Sequence, residues 1–503
     1  MDIESVLASV SAGKGLPREL AGCRAYPKSV HTRNGALYFM ASSDTERFLV
    51  VGGRDALPDF EGTPFYIDAL PAKKCALTPG NARALMAAFP FVAPSSHCNA
   101  SFTLGLGDRL GLASPGHIGA VRGRGIFPVL AQQSMRELKL TGRTYEDVLA
   151  AAAFAVFQED WREGWGADGD HLKTAEEIRY ALGCGYTMIT LDCSEHIGAA
   201  AQGMDKAAAA GAYAELPEEV RRHYEGAYAE RRFNLGDGTL HISSEALRET
   251  VLVYYRAIDY AVDIYRSVIS PCGRPVDFEV SVDETSMPTA PYAHYIIACE
   301  LTARGVKLAS IAPRFTGEFQ KGIDYIGNAQ DFERDFIAHQ RIASYFGYKL
   351  SIHSGSDKFS VFGIIGKHTG LRVHVKTAGT NWLEALRVAA VADPKLFREM
   401  LAFALEHLNE ARVYYHVMAE AARVAAPETI ADERLAEYLD QPDARQVLHI
   451  TYGLLLEAKN ADGSPRFKDR LFALLHCRED EYAAALLRHI GRHIDTIVKG
   501  RRE

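Results

Sequence analysis

The sequence predicts an α/β fold, a (β/α)8 barrel of the TIM type spanning about residues 96–380. Short apolar segments with strand character alternate with amphipathic helical segments, which is typical of parallel βαβ units. Seven or eight such units occupy a length close to the roughly 250 residues of a TIM barrel. We expect an N-terminal mixed α/β extension over residues 1–95, a helical insertion over about 194–270, and a helical C-terminal extension over 381–503.

The N-terminal extension shows short strands (ALYFMA, RFLVVGG) and a short helix (NARALMAAF). The barrel strands follow in order, each separated from the next by a helical segment or a loop. The predicted strands lie in SFTLGLGD, FPVLAQQS, YTMITLDCSEH, DFEVSVDET, VKLASIAPRF, YKLSIHSGSDKF and LRVHVKTAGT. The helices between them include TYEDVLAAAAFAVFQEDW, AEEIRYALGCG, YAHYIIACELTARG and DFERDFIAHQRIASYFG. After residue 380 the sequence predicts helices packed against the outside of the barrel.

Polar or ionisable residues end nearly every predicted strand. A barrel brings all its strand ends to one mouth, whereas an open doubly wound sheet, the alternative fold, uses mainly two of them. We therefore favour the barrel. The strand-end residues are Asp108, Arg109, Gln132, Gln133, Asp192, Asp283, Glu284, Arg314, His353 and Lys376.

Composition excludes several classes of protein. The 503 residues are 48% hydrophobic and 24% charged, with a net charge of −8, so a general nucleic-acid binder is not expected. No apolar segment is long enough to span a membrane, and residues 1–15 lack the pattern of a signal peptide. The eight cysteines form no CxxC pair, which favours a reducing cytoplasm.

The segment GADGDHLK at 166–173 crowds acids, an imidazole and an amine into a predicted loop before a helix. Thr174 and Glu177 already form the capping box of that helix. We therefore interpret the loop as part of a site, with Asp170 and Glu284 as an acid/base pair, since two carboxylates in different environments can have different pKa values. A cap at Asp170 and a surface salt bridge at Glu284 are the alternatives.

His171 and His353 are the candidate metal ligands, because each lies in or beside a predicted loop at the mouth with carboxylates nearby. Asp283 is the first candidate for a third ligand. Mixed imidazole and carboxylate sites with open positions suit divalent Zn, Mn, Ni or Co. The alternative is that each histidine satisfies a buried hydrogen bond.

Cationic residues at the mouth suit a small anionic substrate, since arginine can bind a carboxylate through two parallel hydrogen bonds. A Schiff-base role for Lys376 stays open as an alternative. The predicted substrate-binding residues are Arg109, Gln133, Lys173, Arg314, Lys358 and Lys376.

Together these segments resemble the tagaturonate epimerase family of hexuronate catabolism, over about residues 100–390. The resemblance rests on GLGDRLGLASPGH (105–117), QQS (132–134), GADGDHLK (166–173), DET (283–285), APRFTGEFQKGIDYIG (312–327), HSGSDKFS (353–360) and HVKTAGT (374–380). It implies a metal-dependent, cytoplasmic epimerase that interconverts D-tagaturonate and D-fructuronate. By motif, Asp170 and Glu284 are implied as acid/base residues, and His171 and His353 as metal ligands. The partner expected is a small sugar acid, and homo-oligomerisation is left open.

Such an epimerase must invert a carbon whose C–H bond the ketone does not acidify. A retro-aldol route, with a metal stabilising the enediolate, achieves this without removing that hydrogen. Oxidation by a nicotinamide is less favoured, because GLGDRLG at 105–111 is spaced G-x-G-x-x-x-G and no helix is predicted after it. The alternatives are a ketohexose 4-epimerase (fructose/tagatose), an isomerase or an aldolase on the same barrel, and a non-catalytic sugar-acid binding protein.

Overall fold

The computed structural model describes residues 22–67, 70–236, 238–377 and 379–502. The N-terminal segment, for which the sequence predicts no signal peptide, lies outside the described residues as far as residue 21. All eight cysteines have free thiols. Within the described ranges, every helix is too short or too polar to cross a membrane.

A closed barrel of eight parallel strands forms the centre of the molecule, which confirms the predicted fold. The strands follow one another around the barrel in the order of the chain, and the last strand closes it by pairing with the first. The barrel strands are β7 (Phe102–Gly105), β8 (Phe127–Gln133), β9 (Gly166–Leu172), β10 (Met188–Asp192), β13 (Asp277–Ser281), β14 (Ser310–Ala312), β15 (Lys349–Ile352) and β16 (Val373–Lys376). They are nearly all buried on both faces, because helices cover the outside of the barrel.

Helices follow most barrel strands and surround the barrel. They are α2 (Ser114–Val121), α3 (Met135–Thr141), α4 (Tyr145–Gln158), α5 (Ala175–Cys184), α9 (Pro291–Ala303), α10 (Ala329–Phe346), α11 (Phe359–Thr369) and α12 (Thr380–Ala392). Helix α5 begins at the predicted capping box of Thr174 and Glu177. Between β10 and β13 lie α6 (Lys206–Ala214), α7 (Glu218–Tyr228), the hairpin of β11 (Arg231–Asn234) and β12 (Thr239–Ile242), and the long helix α8 (Ser244–Ile264).

Six antiparallel strands precede the barrel. They are β1 (Arg24–Ala25), β2 (His31–Arg33), β3 (Ala36–Ser42), β4 (Arg47–Gly52), β5 (Thr63–Ile67) and β6 (Leu70–Ala76), followed by helix α1 (Pro79–Ala88). Strands β3 and β4 coincide with the predicted ALYFMA and RFLVVGG segments. One face of this sheet packs on the barrel's own core, and the other forms a small separate hydrophobic cluster.

The C-terminal helices pack together around a second hydrophobic core. They are α13 (Pro394–Glu406), α14 (Leu408–Ala411), α15 (Pro442–Ile450), α16 (Tyr452–Glu457), α17 (Lys468–Cys477) and α18 (Glu479–Gly500). Helix α18 packs along α2 and α11 on the outside of the barrel. Helix α15 contributes instead to the wall of a cavity at the barrel mouth.

Two local predictions were wrong. GADGDHLK is not a loop: its first seven residues form strand β9, because closure of the barrel supplies hydrogen-bond partners that its poor strand propensity would not predict. A helix does follow GLGDRLG, since α2 accepts Pro115 in its first turn, where a missing N–H has no cost. That loop still offers little to a dinucleotide, because the Asp108 carboxylate accepts the backbone N–H groups of Leu110, Gly111 and Ala113.

Candidate active site and metal centre

A cavity of about 370 Å³ opens at the carboxyl ends of the barrel strands. This is the face on which barrel enzymes carry their active sites. Its walls combine strand-end residues with residues of the loop 313–322 and of the C-terminal helices. Of the predicted site residues, Arg109, Asp170, His171, Asp283, Glu284, Arg314, His353 and Lys376 line it.

A β-bulge places Asp170 and His171 in this cavity. Along β9, these two residues oppose the single residue Thr190 of β10. His171 takes a positive φ of 54°, as a bulged residue can. In a regular strand the two side chains would point to opposite faces, whereas here both line the cavity.

His171 and His353 form an imidazole pair whose ring centroids are 4.7 Å apart. Each ring donates one N–H to a carboxylate: His171 Nδ1 to Asp170 at 2.9 Å, and His353 Nε2 to Glu279 at 2.7 Å. The second nitrogens, His171 Nε2 and His353 Nδ1, lie 4.0 and 3.1 Å from the Asp283 carboxylate. Those two nitrogens and one carboxylate oxygen therefore face a common point.

This arrangement fits a divalent metal ion. The three residues group closely enough to share one ion. His353 Nδ1 is buried and lies 3.1 Å from Asp283 without the geometry of a hydrogen bond, so it is left for another ligand. Ligating histidines usually donate their other N–H to a carboxylate or a carbonyl, which is the arrangement of both rings here. Three protein ligands with an open position are typical of catalytic sites.

Lys376 lies beneath this centre and is surrounded by acids. Its ammonium donates to Asp168 at 3.0 Å and to Asp170 at 2.6 Å, and lies 3.0 Å from Glu279. Although burial acts in the opposite direction, these carboxylates raise the pKa of Lys376 well above its usual value. A protonated amine has no lone pair, so the geometry does not support a Schiff-base role for Lys376.

Asp170 is held by the ammonium of Lys376 and the imidazole of His171. Burial alone would raise the pKa of its carboxyl, but Lys376 and His171 hold that pKa well below the usual range. Asp170 therefore stays ionised. Glu284 is different: it lies exposed in the cavity, and the described part of the chain gives it no hydrogen-bond or ion-pair partner.

Three of the six predicted substrate-binding residues line the cavity, and all three already have partners in the protein. Arg109 donates to Glu137 through Nε and Nη2 at 3.1 and 3.0 Å, and Arg314 donates to the Thr285 carbonyl. Lys376, as described, is occupied by the acids beneath the metal centre.

The other three predicted substrate-binding residues, Gln133, Lys173 and Lys358, do not line the cavity. Gln132, rather than Gln133, lines the cavity, because successive strand residues face opposite sides. Lys173 lies at the outer edge, 3.6 Å from Asp192 and 3.4 Å from Glu195.

Lys358 is fully buried behind the cavity wall, where its ammonium donates to the carbonyls of Gln320, Ile323 and Ser356 at 2.6–2.9 Å. Burial lowers the pKa of Lys358 to about 7. Its contacts hold the loop 320–323 in place.

The sequence analysis did not single out several residues that line the cavity, among them Arg136, Lys321, Tyr415 and His449. Lys321 lies within the quoted segment 312–327, and Arg136 follows QQS by two residues, so position beside a motif could have suggested both. Tyr415 and His449 belong to the C-terminal extension. They reach the cavity only through long-range packing, for which a single sequence carries no local pattern.

A second group of potential metal ligands, Asp357, His489 and His493, lies outside the cavity. Its geometry does not suit an ion. His493 Nε2 accepts the backbone N–H of Asp357 at 2.8 Å, and Arg445 already donates to the Asp357 carboxylate at 2.7 Å. We interpret this group as a structural joint between the loop after β15 and the helices α15 and α18.

Comparison with known proteins places the chain among sugar-acid epimerases. The model of the tagaturonate epimerase family (UxaE) matches residues 26–497. The tagaturonate/fructuronate epimerase of Thermotoga maritima is 38% identical over 483 residues, covering 95% of this chain and 97% of that protein. Crystal structures of the fructuronate-tagaturonate epimerase of Cohnella laeviribosi, native and with one glycerol bound, are 48% identical with a TM-score of 0.93. Each covers 98% of this chain and 99% of the other.

Proposed function

The chain belongs to the tagaturonate epimerase family and is a carbohydrate epimerase, and from that premise we propose that it interconverts D-tagaturonate and D-fructuronate in the cavity at the barrel mouth. The observation that carries the proposal is the imidazole pair facing Asp283 inside that cavity. A sugar acid is the substrate class that this family and a cavity with several cationic residues support.

The metal-binding role falls to His171, His353 and Asp283. A divalent cation bound by them would act as a Lewis acid toward substrate oxygens that gain negative charge during the reaction. Asp170 and Glu279 orient the two rings through the hydrogen bonds described above. In this interpretation Asp170 is a positioning residue, because its pKa leaves it a poor proton donor and its Oδ1 accepts hydrogen bonds from both Lys376 and His171.

Glu284 is the residue that we assign to proton transfer. Its carboxylate removes the proton from the hydroxyl on the epimerising carbon, and the neighbouring C–C bond breaks to give an aldehyde and an enediolate. The aldehyde rotates, the C–C bond re-forms on its other face, and Glu284 returns the proton to the new alkoxide. Atoms and electrons balance without an oxidant, and the C–H bond of the epimerising carbon stays intact.

The first experiment measures epimerisation of D-tagaturonate before and after chelation, with Zn, Mn, Ni and Co restored singly. We expect activity to disappear with the chelator and to return with one ion. The His353→Gln variant should bind no stoichiometric ion and lose more than about 100-fold in kcat/KM, since even residues behind metal ligands contribute 10- to 100-fold. The control His241→Gln, on the exposed β11–β12 hairpin, should match the parent protein.

Two outcomes would contradict separate parts of the proposal. Activity that resists chelation would contradict the proposed metal dependence. A metal-loaded protein that converts neither uronate would contradict the proposed epimerase activity. Deuterium placed on the epimerising carbon tests the route. Retro-aldol chemistry retains the label without a primary isotope effect, whereas a hydride-transfer route would show one.

A further inference from the structure

Two cations of the cavity lining, Arg136 and Lys321, have no ion-pair partner among the described residues, although the lining holds as many Asp and Glu as Lys and Arg side chains. Asp170 acts electrostatically on Lys321 and Glu284 acts on Arg136, but the carboxylate that acts most strongly on both cations is Glu137. That carboxylate already binds Arg109, whose guanidinium also stacks 3.7 Å over the Tyr452 ring. Arg136 and Lys321 are therefore the cations that a bound anion would neutralise.

Lys321 is held in position while its ammonium is left without a partner. The side chain is half-buried in the cavity wall, and no described residue forms a hydrogen bond or ion pair with its Nζ. The backbone beside it is fixed: Lys358 binds the carbonyls of Gln320 and Ile323, and Gln446 donates to the Lys321 carbonyl at 3.3 Å. Burial and the nearby Arg136 lower the pKa of Lys321, which is the expected cost of an unpaired cation.

Arg136 is also without a carboxylate partner among the described residues. Its guanidinium lies 4.7 Å over the ring of Tyr415 and makes one long hydrogen bond, of 3.5 Å, to the Tyr414 carbonyl. An arginine stacked on an aromatic ring keeps the edge of its guanidinium free to donate. Both aromatic residues come from the C-terminal extension.

His449 supplies a third unsatisfied group in the same wall. It is 1% exposed, and both of its ring nitrogens lack a hydrogen-bond partner among the described residues. Burial, together with Arg109 and Lys321, holds the pKa of His449 well below its usual range, so the ring is neutral. A neutral imidazole can donate one hydrogen bond and accept one.

These groups do not belong to the metal centre. The imidazole pair and Asp283 lie at or just after strand ends, whereas Arg136 is on α3, Lys321 is in the loop after β14, and His449 is on α15. The cavity therefore has a metal centre at the strand ends and a separate cationic wall beyond them.

We propose that Arg136 and Lys321 bind the carboxylate of the sugar acid, with His449 as a neutral hydrogen-bonding partner, and that this subsite selects uronates over neutral ketoses. The inference rests on the proposed function, which supplies the substrate. It also fixes the orientation of that substrate: the carboxylate lies at the cationic wall, and the reacting carbons lie at the metal centre. The C-terminal extension thus takes part in choosing the substrate.

The test compares the metal-loaded parent with Lys321→Met and Arg136→Met, using D-tagaturonate and its neutral counterpart D-tagatose. Each variant should lose about 10- to 150-fold in kcat/KM and in calorimetric affinity for D-tagaturonate, the worth of a hydrogen bond to a charged group. Affinity for D-tagatose and metal content should stay unchanged. Lys321→Arg should restore much of the uronate binding, and Lys367→Met, on the outer surface of α11, should change nothing.

The outcomes separate the subsite from the reaction. If the parent binds D-tagaturonate without converting it, and Lys321→Met abolishes binding, the subsite stands and the proposed function fails. If the parent converts D-tagaturonate and both variants keep its kcat/KM, or lose D-tagatose binding equally, the subsite is wrong. If Lys321→Met does not fold, Arg136→Met tests the subsite by the same comparison of its affinities for D-tagaturonate and D-tagatose.

Discussion

Glu279 lies fully buried on β13 and contacts both the imidazole of His353 and the ammonium of Lys376. Ser310 also donates to this carboxylate. The hydrogen bond between Glu279 and His353 Nε2 restrains the ring and leaves Nδ1 as the nitrogen that faces Asp283. At the scale of single residues, the metal centre therefore depends on a side chain that does not touch the proposed ion.

Replacing Glu279 with Gln should weaken metal binding without removing a ligand. Because the amide cannot hold the Nε2–H of His353 as strongly as a carboxylate does, we expect metal affinity to fall about 10- to 100-fold. Competition with a chelator of known affinity measures this change.

Asp168→Asn provides the matched control. Asp168 also binds Lys376, at 3.0 Å, and Thr190, but it contacts neither imidazole. Its loss removes a carboxylate from the same buried cluster, so affinity for the metal should change less. Equal losses in the two variants would show that Glu279 acts through the charge of the cluster and not through His353.

At the scale of elements, the sequence predicts most of the barrel because parallel strands and their covering helices have distinct apolar patterns. The exceptions are informative. Strand β9 carries Gly, Asp and His, whose local preferences favour a loop, and only barrel closure and the bulge opposite Thr190 make it a strand. The roles of Asp170 and His171 could be suspected from their residue types, but their common orientation required the bulge.

Helix α11 and helix α18 meet through glycines. A Cβ atom added at Gly366 would overlap the Ile497 carbonyl, so the two backbones approach more closely than any larger residue allows. Gly366→Ala should therefore destabilise the protein by about 1–3 kcal/mol, the usual cost of overpacking. Chemical denaturation monitored by circular dichroism measures this change in unfolding free energy.

Gly363→Ala, three residues earlier on α11, has open space around its added Cβ. This control should be neutral or more stable by about 0.5–1 kcal/mol, because alanine has the higher helix propensity. A loss of stability in both variants would place the effect in α11 itself and not at its contact with α18.

At the scale of the whole molecule, the C-terminal extension has one role that the sequence predicts and one that it does not. We expected helices packed on the outside of the barrel, and α18 packs there against α2 and α11. Yet Tyr415 and His449 also line the cavity. Tyr415 meets Arg136 of α3, and the carbonyl of His449 accepts a hydrogen bond from Arg109, 340 residues earlier in the chain. Local periodicity predicts that each helix exists, but it does not specify which loop the helix will contact.

The joint formed by Asp357, Arg445, His489 and His493 connects this extension to the loop that follows His353. The Asp357 carboxylate accepts from Arg445 at 2.7 Å and lies 3.3 Å from His489 Nε2, and both members of the ion pair are less than 10% exposed. Between His353 and Asp357, Ser354 and Ser356 line the cavity. A displacement of Asp357 at the joint would therefore move the short segment that follows His353 and disturb the metal centre.

Asp357→Asn keeps the shape of the side chain and removes its charge, so Arg445 would be left as a buried cation with carbonyl partners alone. Breaking a buried pair in this way costs about 3–5 kcal/mol, and we expect the unfolding free energy to fall by that amount. Asp480→Asn is the control, since its pair with Arg24 also joins the extension to the rest of the chain but is exposed. That change should cost about 1 kcal/mol or less. Below the melting temperature, Asp357→Asn should also bind metal more weakly than the control. Unchanged metal affinity in a destabilised variant would show that the joint stabilises the fold without positioning His353.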